Sequence, residues 1–360
     1  MSAAAGWHDR SVLVTGHTGF KGGWLSLWLH ELGARVHGYA LDPPTEPNLF
    51  SAATVRSALE SDIRADINSL ADLRAAFVRT RPEVVLHLAA QPLVRESYRD
   101  PITTFATNVM GTAHVLEAAR ATRSVRAIVI ITTDKVYESD EHTRPHVEQD
   151  ALGGHDPYSA SKAAAEIVSA SYRASFFATA SGHAAHVATA RAGNVIGGGD
   201  WAADRLVPDC LRAFPDGAAV SLRYPDSVRP WQHVLEPLSG YLQLAERLLG
   251  SDGGRFARAY NFGPDASDDA TVGEVAAMTA RLWGDSARVR HAASAHHPHE
   301  AGSLRLDSTR ARTELGWHPR WSLEQALQHT VDWHRAWLRG DDMNACSVAQ
   351  IRRYAAGVSG

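Results

Sequence analysis

The chain is poor in cysteine and methionine, carries little net charge and contains no long apolar run. Its 360 residues include 2 cysteines and 4 methionines, and the formal net charge is -4. Cys210 and Cys346 are far apart and match no metal-binding spacing, so they predict reduced thiols in a cytoplasmic protein. This charge gives no electrostatic basis for binding nucleic acid. No apolar segment is long enough to span a bilayer, and the first residues lack the apolar core of a signal peptide.

A glycine-rich turn near the start of the chain predicts a dinucleotide site. The apolar run 11–15 reads as a strand, Gly16, Gly19 and Gly22 follow it, and a helical pattern comes next. Such a turn lets the backbone approach a pyrophosphate, and the helix N-terminus supplies N–H groups. A second strand ends at Asp42, about twenty residues past the last glycine. A carboxylate there accepts hydrogen bonds from both ribose hydroxyls and repels a 2′-phosphate, so NAD is predicted rather than NADP.

A tyrosine and a lysine four residues apart, Tyr158 and Lys162, predict a proton-transfer site. Both lie in a segment that reads as a helix, so they share one face. An ammonium beside a phenol favours the phenolate and is expected to lower the pKa of Tyr158 from about 10. The polar residues Thr133, Asp134 and Lys135 follow a predicted strand, at the sheet edge where ligands of such folds bind.

Strands and helices alternate from the N-terminus to about residue 197. This order predicts an α/β fold with a doubly wound parallel sheet, and 360 residues suffice for two lobes that share a cleft. We therefore expect residues 1–197 to form an NAD-binding Rossmann-type domain, to which the chain partly returns at about 230–265. Residues 198–360, rich in loops, are expected to form most of a smaller substrate-binding lobe. Arginines of this part, Arg205, Arg223 and Arg229, suit a diphosphate.

These motifs resemble the extended short-chain dehydrogenase/reductase family. The shared residues are the three glycines of the turn, Thr133, and the Tyr158–Lys162 pair. Longer blocks are similar to the branch of nucleotide-sugar 4,6-dehydratases that use CDP-glucose. They are VTGHTGFKGGWLSLWL (14–29), ALDPPTEPNLF (40–50), HLAAQPLVRESY (87–98), TNVMGT (107–112), TTDKVYE (132–138), LGGHDPYSASKAAAE (152–166), ARAGNVIGGGDWAADRLVPD (190–209), RPWQHVLEPLSGYL (229–242) and LGWHPRW (315–321).

The resemblance implies a hydro-lyase that dehydrates CDP-glucose with NAD as cofactor. Tyr158, assisted by Lys162 and Thr133, is expected to take the proton of the sugar 4-hydroxyl while hydride leaves C4. Asp134 is expected to protonate the departing 6-hydroxyl, and hydride then returns to C6 to give CDP-4-keto-6-deoxyglucose. In this family the helices near Pro101 and Tyr158 pair two subunits, so a homodimer, or a tetramer built from it, is expected.

The same resemblance implies two sets of binding residues. For NAD they are Gly16, Thr18, Gly19, Phe20, Lys21, Gly22, Asp42, Asp62, Ile63, Leu88, Ala89, Ala90, Gln91, Asn108, Thr132, Tyr158, Lys162 and Arg191. For the nucleotide sugar they are Val94, Arg95, Ser97, Asn194, Arg205, Leu206, Arg229 and His299. His299 belongs to a run of histidines without cysteine or carboxylate at ligand spacing, so no metal is predicted.

The neighbours Asp134 and Lys135 leave three assignments open. In water the two side chains prefer to be carboxylate and ammonium, whereas an acid must start protonated and a lysine base must start neutral. Either burial neutralises both, or Lys135 is the acid, or Lys135 stabilises the enolate next to the ketone.

Three other functions remain as alternatives. A nucleotide-sugar 4-epimerase shares the Thr, Tyr and Lys set but needs no acid and base for elimination. A 4,6-dehydratase of another nucleotide sugar shares the whole set. A non-catalytic NAD-binding regulator on this fold usually lacks the Tyr158–Lys162 pair.

Overall fold

The computed structural model describes residues 6–138, 144–177, 183–284, 287–291 and 304–357. Its strands are β1 (Ser11–Thr15), β2 (Arg35–Ala40), β3 (Ser61–Arg64), β4 (Val84–His87), β5 (Ala127–Ile131), β6 (His186–Ala192), β7 (Val195–Ile196), β8 (Ala219–Leu222), β9 (Val228–Arg229), β10 (Gln232–His233), β11 (Ala259–Phe262), β12 (Ala270–Thr271) and β13 (Arg288–His291). Its α-helices are α1 (Phe20–Glu31), α2 (Leu49–Ala52), α3 (Leu70–Thr80), α4 (Val94–Arg99), α5 (Pro101–Phe105), α6 (Gly111–Arg120), α7 (Pro157–Phe176), α8 (Leu206–Ala213), α9 (Leu235–Leu249), α10 (Val272–Trp283), α11 (Leu323–Arg339) and α12 (Met343–Ala355).

The central sheet of the described chain has seven strands in the order β11-β6-β5-β4-β1-β2-β3, and every neighbouring pair is parallel. The predicted doubly wound parallel sheet is thus confirmed. After β3 the chain crosses back to place β4 on the other side of β1. The order therefore reverses between β1 and β4, and ligands of doubly wound sheets bind in the crevice at the carboxyl ends of such strands.

Alternating side chains of the strands build a core on each face of this sheet. Val12 and Val14 of β1 point into a core that includes α1, α9 and the C-terminal helices. Leu13, between them, points into the opposite core with residues of α3 and α6. Successive side chains of β1 point to opposite faces of the sheet, and each face is covered by a core. The strand is therefore a continuous apolar run in the sequence.

The chain after β7 builds a second, smaller group of elements. It contains α8, α10, α11 and the two-stranded pairs β8–β13 and β9–β12. A separate apolar core joins α8, α10 and α11 through residues such as Leu211, Phe214 and Leu327. In contrast, α9 packs in the core of the main sheet, and β11 is the edge strand of that sheet, beside β6.

Within the described ranges, no helix has the length and apolar composition needed to cross a membrane.

Glu236 of α9 is a buried carboxylate that holds the C-terminal chain against the main core. Its Oε1 accepts a hydrogen bond from the Trp321 backbone N–H at 2.9 Å. Its Oε2 accepts from the Arg320 backbone N–H at 3.0 Å and from the Tyr354 hydroxyl at 2.5 Å. Burial nevertheless raises the pKa of Glu236 from 4.5 to about 7, because the cost of desolvating a charge exceeds the gain from these donors.

We expect Glu236 to make the stability of the protein depend on pH. A raised pKa means that the folded chain holds this proton more tightly than the unfolded chain, so its contribution is lost as pH rises from about 4.5 through about 7. Between about pH 5 and about pH 8, the free energy of unfolding of the wild type should fall by roughly 2 kcal/mol relative to Glu236→Gln. Urea unfolding of both proteins measures the difference, and parallel pH profiles would refute the assignment.

Candidate active site

A cleft between the main sheet and the second group of elements brings together all five residues predicted to be catalytic. Thr133, Asp134, Lys135, Tyr158 and Lys162 line it. Predicted substrate residues that also line it are Val94, Arg95, Asn194, Arg205, Leu206 and Arg229, and predicted cofactor residues that do so are Lys21, Leu88, Ala90 and Thr132. The cleft opens at the carboxyl ends of β4, β5 and β6, where the polar residues of the sequence motifs follow their strands.

The helix α7 positions Tyr158 and Lys162. It begins at Pro157, and the side chain of its N-cap, Asp156, accepts a hydrogen bond from the Ser159 backbone N–H at 2.9 Å. Lys162 is buried, and its Nζ donates to the Ile131 carbonyl at the end of β5 at 3.1 Å. Lys162 thus joins α7 to the end of β5, one helical turn from Tyr158.

Burial decides the protonation of this pair, contrary to the sequence expectation. It raises the pKa of Tyr158 to about 12, although a hydrogen bond with Thr133 opposes the shift. It also lowers the pKa of Lys162 to about 8, against the attraction of Glu166. Burial, rather than the charge of Lys162, is therefore the dominant influence on the pKa of Tyr158. In the chain alone, Tyr158 holds its proton at neutral pH because a buried phenolate loses its hydration.

Asp134 is a buried acid with one unsatisfied oxygen. Its Oδ1 accepts a hydrogen bond from the Thr133 hydroxyl at 2.9 Å, and its Oδ2 has no hydrogen-bond partner among the described residues. Burial raises the pKa of Asp134, while Lys135, Thr133 and Arg229 oppose the shift. A raised pKa favours the protonated form that an acid needs, which supports Asp134 as the acid among the three open assignments.

A buried network behind the cleft was not predicted from the sequence. The Glu166 carboxylate accepts from the Thr132 and Thr189 hydroxyls at 2.6 Å each. It also pairs with the Arg191 guanidinium through Nε at 2.9 Å and Nη2 at 3.0 Å. Arg191 further donates to the Tyr137 hydroxyl at 2.9 Å. Glu166 lies one turn after Lys162, so its helical spacing was the available signal.

The glycine turn fits the pyrophosphate of a dinucleotide. Gly16 has a φ of +76°, and a side chain there would collide with the backbone of Ala89, while one at Gly22 would overlap the carbonyl of Gly16. Gly19 is the N-cap of α1 and provides no side-chain cap for the first-turn N–H groups. Phe20 and Lys21 form this first turn, and the Thr18 hydroxyl donates to the Leu41 carbonyl at 3.0 Å, which closes the turn onto β2. An uncapped helix start beneath a close-packed turn is the arrangement that anionic phosphates require.

At the end of β2, the side chain of Asp42 is 90% exposed and pairs with Arg64 at 3.1 Å. Arg64 also binds both oxygens of Asp62, which precedes Ile63 in β3, at 2.7 and 3.0 Å. Although it pairs with Arg64, the exposed carboxylate of Asp42 can also accept from the hydroxyls of an adenosine ribose. These acids and the glycine turn are the residues that would hold NAD.

Several predicted cofactor residues act within the protein framework. Asn108 accepts from the Gln91 backbone N–H at 2.9 Å and donates to the Ser161 hydroxyl at 2.8 Å, so it ties the loop after β4 to α7. The same loop is anchored by Thr15, whose hydroxyl oxygen accepts from the Ala89 N–H at 3.2 Å. Lys21 donates to the Tyr241 hydroxyl at 3.0 Å, and burial beside Lys162 and Arg205 lowers its pKa to about 7. Arg191 is paired with Glu166, as described above.

Acidic partners hold the arginines of the cleft. Arg205 pairs with Asp200 at 2.8 Å, and Arg95 and Arg223 both pair with Asp204, at 3.0 and 3.1 Å. Ser97, predicted to contact substrate, is buried and donates to the Val94 carbonyl at 2.6 Å, and Arg229 is buried and donates to the Val228 carbonyl at 2.9 Å. His299 lies outside the described residues. In the part of the chain that is described, no three or more His, Cys, Asp or Glu side chains are grouped to hold a metal ion.

Comparisons with known proteins agree with this architecture. The sequence profile of the NAD dependent epimerase/dehydratase family matches residues 12–263. The CDP-glucose 4,6-dehydratase of Salmonella typhimurium is 50% identical over 350 residues, which is 97% of each chain. The dTDP-glucose 4,6-dehydratase of Streptomyces griseus is 32% identical over 336 residues, 91% of this chain and 95% of that protein.

Solved structures share the fold. The UDP-glucose 4-epimerase of Thermotoga maritima with UDP-glucose gives a TM-score of 0.77 at 23% identity, over 91% of this chain and 99% of that one. The dTDP-glucose 4,6-dehydratase of Bacillus anthracis in complex with NAD gives 0.74 at 22% identity, over 91% and 97%. With a profile match over most of its length and a relative of 50% identity, the chain belongs to the NAD dependent epimerase/dehydratase family, in agreement with its resemblance to the extended short-chain dehydrogenases/reductases.

Proposed function

We propose that this protein is an NAD-dependent hydro-lyase that converts CDP-glucose to CDP-4-keto-6-deoxyglucose. The observation that carries the proposal is the buried carboxyl group of Asp134, whose unsatisfied oxygen lies in the same cleft as Tyr158 and Lys162. An oxidation or an epimerisation needs no acid for a leaving hydroxyl, whereas an elimination does. The choice of CDP-glucose rests on the relative of 50% identity, which is a CDP-glucose 4,6-dehydratase.

The first task of the protein is to take a proton from the sugar 4-hydroxyl. Tyr158 accepts this proton. Thr133 is hydrogen-bonded to the phenol and orients the phenol oxygen and the oxygen of the sugar 4-hydroxyl. NAD, when bound, supplies the hydride acceptor for C4 and afterwards the hydride donor for C6. Because burial opposes the phenolate, Tyr158 needs positive charge nearby. Lys162 provides part of it from the same helical face.

The second task is the loss of water across C5 and C6. The 4-ketone acidifies the C5 proton, which a base removes, and Asp134 gives its proton to the C6 hydroxyl so that water leaves. We assign the base to Lys135, since it lines the same cleft and its neighbour Asp134 takes the role of the acid. A proton then returns to C5, and NAD, when bound, would be regenerated within one turnover by giving hydride to C6.

We assign NAD binding to residues 1–197 together with the returning segment at about 230–265. Most of residues 198–360 bind the nucleotide sugar, with Arg205, Leu206 and Arg229 on the cleft wall. Both cysteines, Cys210 and Cys346, are free, which agrees with the cytoplasmic location that we propose for the enzyme.

The decisive test of the proposed function is the mass of the nucleotide sugar after incubation with the purified protein and NAD. We expect CDP-glucose to lose the mass of one water without net formation of NADH. An unchanged mass with an altered sugar configuration would instead identify a 4-epimerase. Loss of water from UDP-, dTDP- or GDP-glucose but not from CDP-glucose would identify a dehydratase of another nucleotide sugar, and NAD binding without turnover of any sugar would identify a non-catalytic protein.

Exchange of the C5 hydrogen with deuterated water separates the roles of Asp134 and Lys135. Asp134→Asn should lower the rate of dehydration by about a hundredfold or more, because the leaving hydroxyl has no acid. It should still place deuterium at C5 of recovered CDP-glucose, because the base remains. Lys135→Ala should lose both dehydration and exchange. The reverse pattern would make Lys135 the acid, and near-normal turnover by Lys135→Ala would show that it has no essential role.

We also propose that the enzyme is a homodimer joined through α5, α6 and α7. Large apolar side chains are exposed on α5, on α7 and on the π-helical segment Ala106–Met110 that joins α5 to α6. Ile102 is 77% and Ile167 is 59% exposed, and Phe105, Met110 and Phe176 are also exposed. Such a cluster on packed helices is typical of a surface that a second subunit covers.

Replacing two of these residues by charged ones should dissociate the dimer. We expect the double variant Ile102→Asp/Ile167→Asp to sediment near the 39.0 kDa of one chain, and the wild type at about twice that mass. Leu338→Asp is the matched control, because Leu338 of α11 is 47% exposed but lies in the other lobe. A monomeric wild type, or a double variant that remains dimeric, would contradict the proposed interface.

A further inference from the structure

The charged groups of the cleft form two clusters. The first surrounds the catalytic residues, since Tyr158 interacts electrostatically with Asp134 and Arg205. The second contains Asp209, whose charged neighbours are Arg212, Arg223 and Asp204. Its Asp204 in turn pairs with Arg95 and Arg223. We call this second set the distal cluster; it comprises the cleft residues Arg95, Asp204, Asp209 and Arg223, together with Arg212, which pairs with Asp209 outside the cleft lining.

Helix α8 leads from the reaction end of the cleft to the distal cluster. Arg205, which interacts with Tyr158, is its N-cap residue. Asp209 lies one turn later, and its backbone N–H donates to the Arg205 carbonyl at 2.9 Å. One turn of helix advances by about 5.4 Å. With the hexose at Tyr158 and the diphosphate at the start of α8, the cleft wall that continues along this helix includes Asp209.

Asp209 is an unexpected residue in a pocket for an anionic ligand. It lines the cleft, is partly buried, and accepts a hydrogen bond from Arg212 through Oδ1 at 2.9 Å. Burial also raises the pKa of Asp209, so its position has an energetic cost. Two phosphates cannot offset that cost, because they repel a carboxylate. Arg212 and Arg223 offset the cost only in part, because the pKa of Asp209 stays raised beside them, so a hydrogen-bond donor on the nucleoside would be a favourable further partner.

Nucleosides of the common pyrimidine sugars differ in one such donor. Cytosine has an amino group at C4, whereas uracil and thymine have a carbonyl oxygen there. A carboxylate accepts from the amino group and repels the carbonyl oxygen. We propose that Asp209 determines base specificity by accepting a hydrogen bond from the 4-amino group of cytosine. This inference rests on the proposed use of CDP-glucose, and it gives a role to a residue that closes the block 190–209 but was not among the predicted substrate-binding residues.

Base recognition by a carboxylate has a consequence that ribose recognition does not share. If Asp209 bound a ribose hydroxyl, its loss would weaken all pyrimidine nucleotides equally. If it binds the 4-amino group, its loss changes the ratio between cytidine and uridine nucleotides. A hydrogen bond to a charged group, together with the avoided repulsion, corresponds to at least about a tenfold ratio.

The experiment is calorimetric titration of the full chain with CDP and with UDP, which needs no turnover. The wild type should bind CDP about tenfold or more tightly than UDP. In Asp209→Asn, whose amide both donates and accepts, this ratio should fall by about tenfold, with part of the change a gain for UDP. Asp204→Asn is the matched control: it removes another carboxylate of the distal cluster and should leave the ratio unchanged.

Equal affinities of the wild type for CDP and UDP, or an unchanged ratio in a folded Asp209→Asn, would overturn the inference. Should that variant not fold, the wild type is titrated with the diphosphate of 2-pyrimidinone riboside, which lacks any group at C4. If this analogue binds at least about tenfold more weakly than CDP, the proposal is supported, and equal binding refutes it.

The dehydratase function is tested separately: if the wild type binds CDP selectively but does not dehydrate CDP-glucose, the proposed reaction fails while the assignment of Asp209 stands.

Discussion

The buried ion pair between Glu166 and Arg191 is the constraint on which the site depends. Its two hydroxyl partners, Thr132 and Thr189, belong to the loop after β5 and to β6, so one carboxylate joins α7 to both strands. Every carboxylate oxygen has two donors, which a buried charge requires. Removing one partner of such a pair typically costs about 3–5 kcal/mol, because the other charge is left without compensation. Tyr158 and Lys162 keep their places over β5 because this pair is complete.

At Tyr158 and Asp134, in contrast, burial outweighs the nearby charges and raises both pKa values. A simple reading of Tyr158 beside Lys162 predicts a phenol that ionises readily, yet desolvation raises the pKa of Tyr158 to about 12. Burial raises the pKa of Asp134 in the same way, despite Lys135 and Arg229 nearby. For the phenol, burial opposes the phenolate that accepts a proton. For the carboxyl group, burial favours the protonated form that an acid needs.

A second feature of the cleft is that its arginines are already paired. Asp200 holds Arg205, and Asp204 joins Arg95 of α4 to Arg223 after β8. Paired guanidiniums are preorganised, so they lose less conformational freedom when a diphosphate arrives. Asp204 also links the two lobes across the cleft, so a ligand at this point contacts elements of both.

Patterns that depend only on residues close together in the sequence predicted much of the fold and of the site. The glycine turn, Asp42 at the end of β2, and the spacing of Tyr158 and Lys162 all depend on neighbours along the chain, and the parallel sheet follows from alternating strands and helices. What the tertiary structure decided has a different physical origin. The Glu166–Arg191 pair, the raised pKa of Asp134 and the distal cluster each depend on desolvation or on partners far apart in sequence. Local spacing carries no information on burial, so these properties were determined only when the strands, α7 and α8 packed together.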